Sequence, residues 1–313
     1  MAVAQVVQED VQVRETGWSP AEIAELREAV SRAPSIHNSR PWTLTLHRRT
    51  AVLRENPEPW MNHDPEGRDR RISCGAALMN LVLAVRSLGW GAQVEVGDSS
   101  GLVSAAVNAR GAAEPSPREL AWAWAVAQRR SHRAPFSRRP VSELLREKIT
   151  DAATGVRCGS RWVGSDVEAV EVARMLGRAA SAFHADPDYT RELAAHVKPD
   201  GRRLQRESGD LRGLAAVGLT ALTTHLPDEH HLAQLLRDES VLLVGTRGDR
   251  PADHVRAGQA VERAWLEATR AGLSVSMMTQ PLHLPEVRTG LAERLGTSLI
   301  PQVIMRFGYP AES

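Results

Sequence analysis

The 313-residue chain is 42% hydrophobic and 25% charged, an ordinary globular profile long enough for one large domain or two smaller ones. Its formal net charge of +1 gives no overall field to draw it to nucleic acid or to anionic lipid. No run approaches the ~18 apolar residues of a membrane span, residues 1–16 lack the apolar core of a signal peptide, and Cys74 and Cys158 are far apart with no metal-ligand spacing. The expectation is a cytoplasmic protein with reduced thiols, no metal, and neither nucleic acid nor membrane as partner.

The first helix announces itself at Ser19-Pro20-Ala21-Glu22, where Ser19 suits the N-cap, Pro20 the first helical position and Glu22 a capping box. Ile23, Leu26 and Val30 supply its apolar face. Residues 33–42, Ala-Pro-Ser-Ile-His-Asn-Ser-Arg-Pro-Trp, read as a loop. Residues 43–53 read as a strand or hairpin broken at Arg48-Arg49, and the charged stretch 56–71 as loop. From 74 to 88 almost no polar face remains, which predicts a helix buried on most sides and ended by Gly89 and Gly91. Strands are expected at 92–96 and 102–107, and a helix at 121–128.

Arg129-Arg130-Ser131-His132-Arg133 follows, three guanidinium groups and a hydroxyl within five residues and no acid among them. Taken alone it is either a solvated basic linker or an anion site, since the planar guanidinium fork suits phosphate. Beyond it lie an expected helix at 142–149, helix-rich sequence at 166–236, a strand at 241–245, a helix at 255–270 and strands at 273–278 and 301–307.

The chain also carries a faint internal repeat. Gly75 and Gly89 are fourteen residues apart, and so are Gly258 and Gly272; in that register Ala77 pairs with Ala260 and Leu83 with Leu266. Ala33 to Trp42 and Ala153 to Trp162 both span nine residues. The offsets are 183 at the glycines and 120 at the tryptophans, which would put about 63 extra residues into the second half within 166–236. A duplicated α+β unit with one helical insertion is expected: a first half over 1–128, carrying loop 33–42, and a second over 129–313.

The 33–42 loop resembles the A-P-S-x-x-N-x-Q-P-W loop of the FMN-dependent nitroreductase superfamily, with Arg40 in place of glutamine, and Arg129-x-Ser131-x-Arg133 resembles its R-x-S-x-[RK] flavin motif. Here the second motif follows the first, the order of a fused single-chain version. Ser73-Cys74-Gly75-Ala76-Ala77-Leu78, Arg256-Ala257-Gly258-Gln259-Ala260 and Thr279-Gln280-Pro281 are similar to the Acg-type subgroup of actinobacteria. The resemblance implies a nitroreductase-like α+β fold in which two related halves form a pseudo-dimer within one chain.

It further implies one FMN per chain, because neither Val13-Arg14-Glu15-Thr16 nor Thr154-Gly155-Val156-Arg157 offers a second copy of the motifs. Arg129 would grip the phosphate, Ser131 the ribityl or phosphate region, and Arg133 the N1/O2 edge, where a cation favours the anionic reduced flavin. Pro34, Ser35, Ile36 and Asn38 would cover the ring and ribityl chain, and the backbone N–H groups of Thr279 and Gln280 would face N5. No protein residue is assigned a catalytic acid or base role. Family members usually add Lys or Arg past the last strand to the phosphate clamp; this chain ends five residues after Gly308, leaving Arg306 or Arg288 as substitutes.

The implied activity is NAD(P)H-driven reduction of a nitro, quinone or related conjugated acceptor, with NAD(P)H a transient reductant and a small molecule as partner. The alternative is an FMN storage protein whose arginine-rich insertion (Arg191, Arg202, Arg203, Arg206, Arg212) lies over the flavin as a lid. The chain would be a monomeric pseudo-dimer or a homodimer. The crowded His225, Asp228, Glu229, His230 and His231 read as a solvated helix start, there being no i, i+4 histidine pair. His37 could line the pocket or simply pack in its loop, and the tryptophans read as core residues.

Overall fold

The computed structural model describes residues 17–58, 62–99, 102–196, 214–218 and 225–311. The chain divides into two compact units: residues 1–59, 68–128 and 250–262 in the first, and 60–67, 129–249 and 263–313 in the second.

In the first unit, α1 (Pro20–Ser31) begins with the expected capping box, the Glu22 amide donating to Ser19 Oγ (3.3 Å) and the Ser19 amide to Glu22 Oε2 (2.7 Å). The hairpin β1 (Trp42–His47) and β2 (Thr50–Glu55) turns at residues 48–49. Helix α2 (Arg68–Ser87), β3 (Trp90–Ser99), β4 (Leu102–Ala112) and α3 (Pro117–Gln128) follow, and the antiparallel sheet has the order β1-β2-β4-β3. Ala77, Leu78, Leu81 and Val85 of α2 share one core with Leu26 of α1 and with Leu53, Val103, Ala105 and Val107 of the sheet.

The stretch 56–71 is not loop throughout, since α2 starts at Arg68 and its first turn is buried. Arg70 Nε and Arg71 Nε donate to the two oxygens of Glu55 (2.6 and 3.4 Å), the Val103 amide adds a third bond to that carboxylate (2.8 Å), and Arg68 pairs with Asp69 (3.0 Å). A run of charges normally marks a solvated face; these are buried because each has an oppositely charged partner.

Two acids on the periphery of this unit make its stability depend on pH. Partial burial opposes the charge of Glu22, but hydrogen bonds from the Ser19 amide, Arg49 and Trp90 outweigh it and lower its pKa from 4.5 to about 2. Arg49 itself lies between the rings of Trp18 and Trp90, 5.0 and 4.3 Å from their centroids. Glu119 is lowered to about 2 as well, chiefly by the Arg86 guanidinium, against burial and with help from Ser116. A depressed carboxylate pKa stabilises the fold above the unfolded value and loses that contribution as pH falls through the folded one. The urea midpoint should therefore drop as pH goes from about 4.5 to about 2, and the double variant Glu22→Gln, Glu119→Gln should start lower and show a flatter profile in that window.

The second unit contains α4 (Glu143–Ala153), β5 (Cys158–Trp162), α5 (Asp166–His184), α6 (Pro187–His196), α7 (Leu214–Gly218), α8 (Glu229–Asp238) and β6 (Ser240–Thr246). Helix α9 (Pro251–Arg270) counts with the first unit up to Glu262 and with the second from Arg263. Then come β7 (Ser274–Met278), a 3-10 turn (Gln280–His283), α10 (Pro285–Arg294) and β8 (Ile300–Gly308). The strand order is β5-β6-β8-β7, the same sequence of neighbours as in the first sheet. All of β6 is buried, so alternation is absent from its sequence. Where two residues join β1 to β2, residues 163–239 lie between β5 and β6; where 100–101 join β3 to β4, residues 279–299 lie between β7 and β8. Leu176 of α5 and Leu232 and Leu236 of α8 belong to the same core cluster as Val241, Leu243 and Ile304 of the sheet, so these inserted helices are a fixed part of the unit. Among the described residues no helix is long and apolar enough to cross a membrane.

The glycine repeat has a physical basis. Helices α2 and α9 are both 20 residues long, and both of their ends are offset by 183. They touch backbone to backbone at Gly75 and Gly258. A methyl on Gly75 would overlap the Val255 carbonyl and lie 2.9 Å from Gly258 Cα; one on Gly258 would overlap the Ile72 carbonyl and lie 2.9 Å from Gly75 Cα. Residues 72 and 255 share the same offset, so the contact is reciprocal. Gly89 and Gly272, each past the end of its helix, hold φ of 83° and 77° and donate to the carbonyls of Arg86 and Thr269 (2.9 and 3.0 Å). The tryptophan register fails: Trp42 opens β1 but Trp162 closes β5, so the two are not equivalent and the 120-residue offset is accidental.

Candidate functional site

In the second unit the arginine stretch is fastened to the edge of the sheet. Ser131 bridges to Val275 of the edge strand β7 in parallel register, and the His132 amide donates to the Val275 carbonyl (2.9 Å). Phe136 then pairs with Pro310, and the Ser137 amide donates to the Tyr309 carbonyl (2.8 Å). The Phe136 ring sits directly on Gly308, where a methyl would come within 2.6 Å of its Cβ. His132 stacks on Phe136 (centroids 4.8 Å, 22° between planes). The prolines that make this segment non-helical leave it able to cover an otherwise open strand edge.

Along that segment the Arg129 guanidinium lies 4.5 Å over the ring of Trp265, a buried residue of α9. Stacking occupies the face of the guanidinium and leaves its N–H edge, the part that recognises oxyanions, outside that contact. Arg129 and Arg133 are half-buried, and Ser131 is exposed. Exposed Arg130 folds back on the Arg129 carbonyl (2.7 Å).

The other end of β7 carries Thr279 and Gln280. From Val275 to Thr279 a strand covers about 13 Å. The Leu282 amide donates to the Thr279 carbonyl (2.9 Å), closing the 3-10 turn. The Gln280 side chain is buried and directed at the inserted helices: with its amide oriented to suit its neighbours, Oε1 accepts from the Tyr189 hydroxyl (2.9 Å) and Nε2 donates to the Gly218 and Val217 carbonyls (3.0 and 3.2 Å).

In the first unit, Pro34, Ser35, Ile36 and Asn38 share one tightly held loop. Ser35 Oγ accepts from the Arg40 amide (3.0 Å), and the Ile36 amide donates to Ser73 Oγ (3.1 Å), whose hydroxyl donates to the Asp69 carbonyl (2.8 Å). The Pro41 carbonyl accepts from the Asn56 amide (3.0 Å) and from the Cys74 thiol (3.2 Å), which burial pushes well above the usual thiol range. His37, Asn38 and Arg40 have φ of 48°, 56° and 49°. Three left-handed residues without a glycine are costly, and such backbone persists where the surroundings over-determine it.

The structure thus gathers Arg129, Ser131, Arg133, Thr279 and Gln280 along one strand, and Pro34, Ser35, Ile36 and Asn38 in one loop. It removes both substitutes for the phosphate clamp. Arg306 is buried and held by both oxygens of Glu239 (2.6 and 2.8 Å). Arg288 is held by both oxygens of Asp249 (2.7 and 2.5 Å) and by the Pro301 carbonyl (2.7 Å). A guanidinium that already has a bidentate carboxylate has little left for a phosphate. The His225–His231 group is an exposed helix start, as its sequence suggests, with Asp228 capping the His231 amide (2.8 Å). Arg202, Arg203, Arg206 and Arg212 lie outside the described residues, and Arg191 pairs with Asp188 at the surface (2.7 Å).

One buried polar group escaped the sequence reading. His63 Nδ1 lies 2.5 Å from Glu192 Oε1, and the Asn62 amide donates to Glu192 Oε2 (2.7 Å). Edge-on contacts join His63 to Tyr189 and to His283 (centroids 5.7 and 5.6 Å). Nothing local connects residues so far apart in sequence; the only spacing signal is Tyr189 with Glu192, three apart on one helix.

Residues 126–309 match the profile of the Nitroreductase family. The chain is 30% identical over 298 residues to the Mycobacterium tuberculosis H37Rv protein named "Putative NAD(P)H nitroreductase Rv3131", covering 89% of this chain and 82% of that one. It is 25% identical over 293 residues to "Putative NAD(P)H nitroreductase acg" of the same organism, covering 90% and 87%. Among solved structures, the Bacteroides fragilis nitroreductase with bound FMN is similar, with a TM-score of 0.40 and 16% identity, over 61% of this chain and 89% of that one.

Proposed function

The chain belongs to the nitroreductase family, and from that premise we propose that it is an FMN-dependent oxidoreductase in which NAD(P)H reduces a small nitro, quinone or similar conjugated acceptor. The observation that supports this best is the arrangement on β7. Ser131 and His132, within the run Arg129–Arg133, pair with Val275, and a turn with backbone N–H groups lies at the far end of the strand. A cationic anchor and a donor turn about 13 Å apart suit a ligand with a phosphate at one end and a ring at the other.

Arg129, oriented by Trp265, would hold the FMN phosphate with Ser131, and Arg133 would face the N1/O2 edge. The Thr279 and Gln280 backbone would face N5; the Gln280 side chain, turned toward Tyr189, would take no part in that contact. For Pro34, Ser35, Ile36 and Asn38 of the strained loop, the resemblance supports a role in covering the ring and ribityl chain. Bound FMN supplies hydride transfer, and the residues bind and orient it and keep a cation beside its negative pole. The shared strand order and the matching helix ends favour an internal duplication, for which the resemblance implies a pseudo-dimer, with one FMN because R-x-S-x-R occurs once.

The test is anaerobic mixing of the FMN-loaded protein with NADPH and with NADH while flavin absorbance is followed. Bleaching within seconds by either nucleotide is the expected result. No bleaching over many minutes, with dithionite still effective, would replace the enzyme reading with FMN storage.

A further inference from the structure

Resting on the flavin reading above, we propose that Tyr189, carried on an inserted helix, is a positioning residue that sets the turn at Thr279 and Gln280, and thereby couples the insertion to the flavin. Helix α6 presents Tyr189 and Glu192 on one face. Tyr189 holds the first residue of the turn directly, through its hydroxyl on Gln280 Oε1 (2.9 Å). Glu192 holds its last residue indirectly, through His63, which packs edge-on against His283 (5.6 Å).

A second inserted helix adds to this grip. Val217 and Gly218 at the end of α7 accept from Gln280 Nε2, and Gly218 lies so close to Met278 that a methyl there would come within 2.6 Å of the Met278 Cγ. Met278, Gln280 and, through His63, His283 are thus held from the side of the insertion. Tyr189, Glu192 and His63 are buried. Hydrogen bonds in such surroundings are directional, and one lost leaves the partner unsatisfied. Between the two held residues, Pro281 lacks an N–H and Leu282 has an apolar side chain, so neither offers a side-chain bond in exchange.

Tyr189→Phe removes one oxygen and keeps the ring between Phe183 and His63. The variant should still bind one FMN per chain, with a shifted visible absorption band, a dissociation constant raised about tenfold, and slower reduction by NADPH. Ile149→Ala is the comparison for a merely structural effect: Ile149 is fully buried on α4 and lies outside the core cluster that holds Met278 and Leu282. It should lower the melting temperature more than Tyr189→Phe and leave the flavin spectrum unchanged. An unchanged spectrum and dissociation constant in Tyr189→Phe would overturn the proposal, as would an equal spectral shift in Ile149→Ala. Wild-type protein that binds no FMN would overturn the flavin reading and this inference together.

Discussion

Gly258→Ala and Gly75→Ala should each yield little folded protein, with any soluble fraction melting far below wild type. The added methyl meets a backbone carbonyl, of Ile72 in one case and Val255 in the other, and the opposing glycine Cα at 2.9 Å. A side chain in the way could rotate; a helix backbone can yield only if α2 and α9 move apart. Overpacking that rotamers can relieve costs about 1–3 kcal/mol, and this contact should exceed that range. Separation would also open the core around Ala77 and Ala260, both fully buried. Gly89→Ala and Gly272→Ala provide the scale. Those glycines have positive φ but nothing within 4 Å of the added methyl, so alanine there costs only the left-handed strain, about 1–2 kcal/mol. Urea denaturation of the four variants should separate them into two classes. Wild-type stability for Gly258→Ala would mean that the two helices do not cross there.

The second large effect is on FMN affinity. Arg129→Ala combined with Ser131→Ala should raise the FMN dissociation constant by about a hundredfold or more, since a hydrogen bond to a charged group contributes about 1.5–3 kcal/mol and each 1.4 kcal/mol is tenfold. Arg130→Ala removes the same charge from the same run, but from an exposed side chain folded onto the Arg129 carbonyl, and should change affinity less than about threefold. The contrast separates a site from a general basic surface, which would lose affinity in proportion to charge at any of the three arginines. The apo double variant should melt only as far below wild type as Arg129→Ala alone, which loses the stacking on Trp265, because Ser131 is exposed and holds β7 through its backbone.

Much of the fold was legible because local chemistry dictates it. The Ser19–Glu22 capping box forms as spelled, and the near-continuous apolar run of α2 predicts its burial. The two glycine pairs were visible as a spacing of fourteen before their cause was: one glycine for close approach, the next for a left-handed helix end. What could not be read depends on distant partners. Arg70 and Arg71 look solvated until Glu55 is placed against them. Arg306 and Arg288 look like available cations until Glu239 and Asp249 occupy them. The Trp42 and Trp162 register imitated a repeat because a nine-residue spacing of alanine and tryptophan carries no packing constraint of its own.

The site divides in the same way. Its residue types were legible as short motifs, and the fastening of Arg129–Arg133 to β7 was not, because it rests on pairing with Val275 and Pro310 far along the chain. The contribution of Tyr189 to the Gln280 turn was equally hidden, since it depends on an insertion with no counterpart between β1 and β2.

The most direct measurement is an equilibrium titration of purified apo protein with FMN, followed by flavin fluorescence. Saturation at one FMN per chain is expected, with the end point lost in Arg129→Ala combined with Ser131→Ala. Saturation at two per chain, or no binding at all, would contradict it.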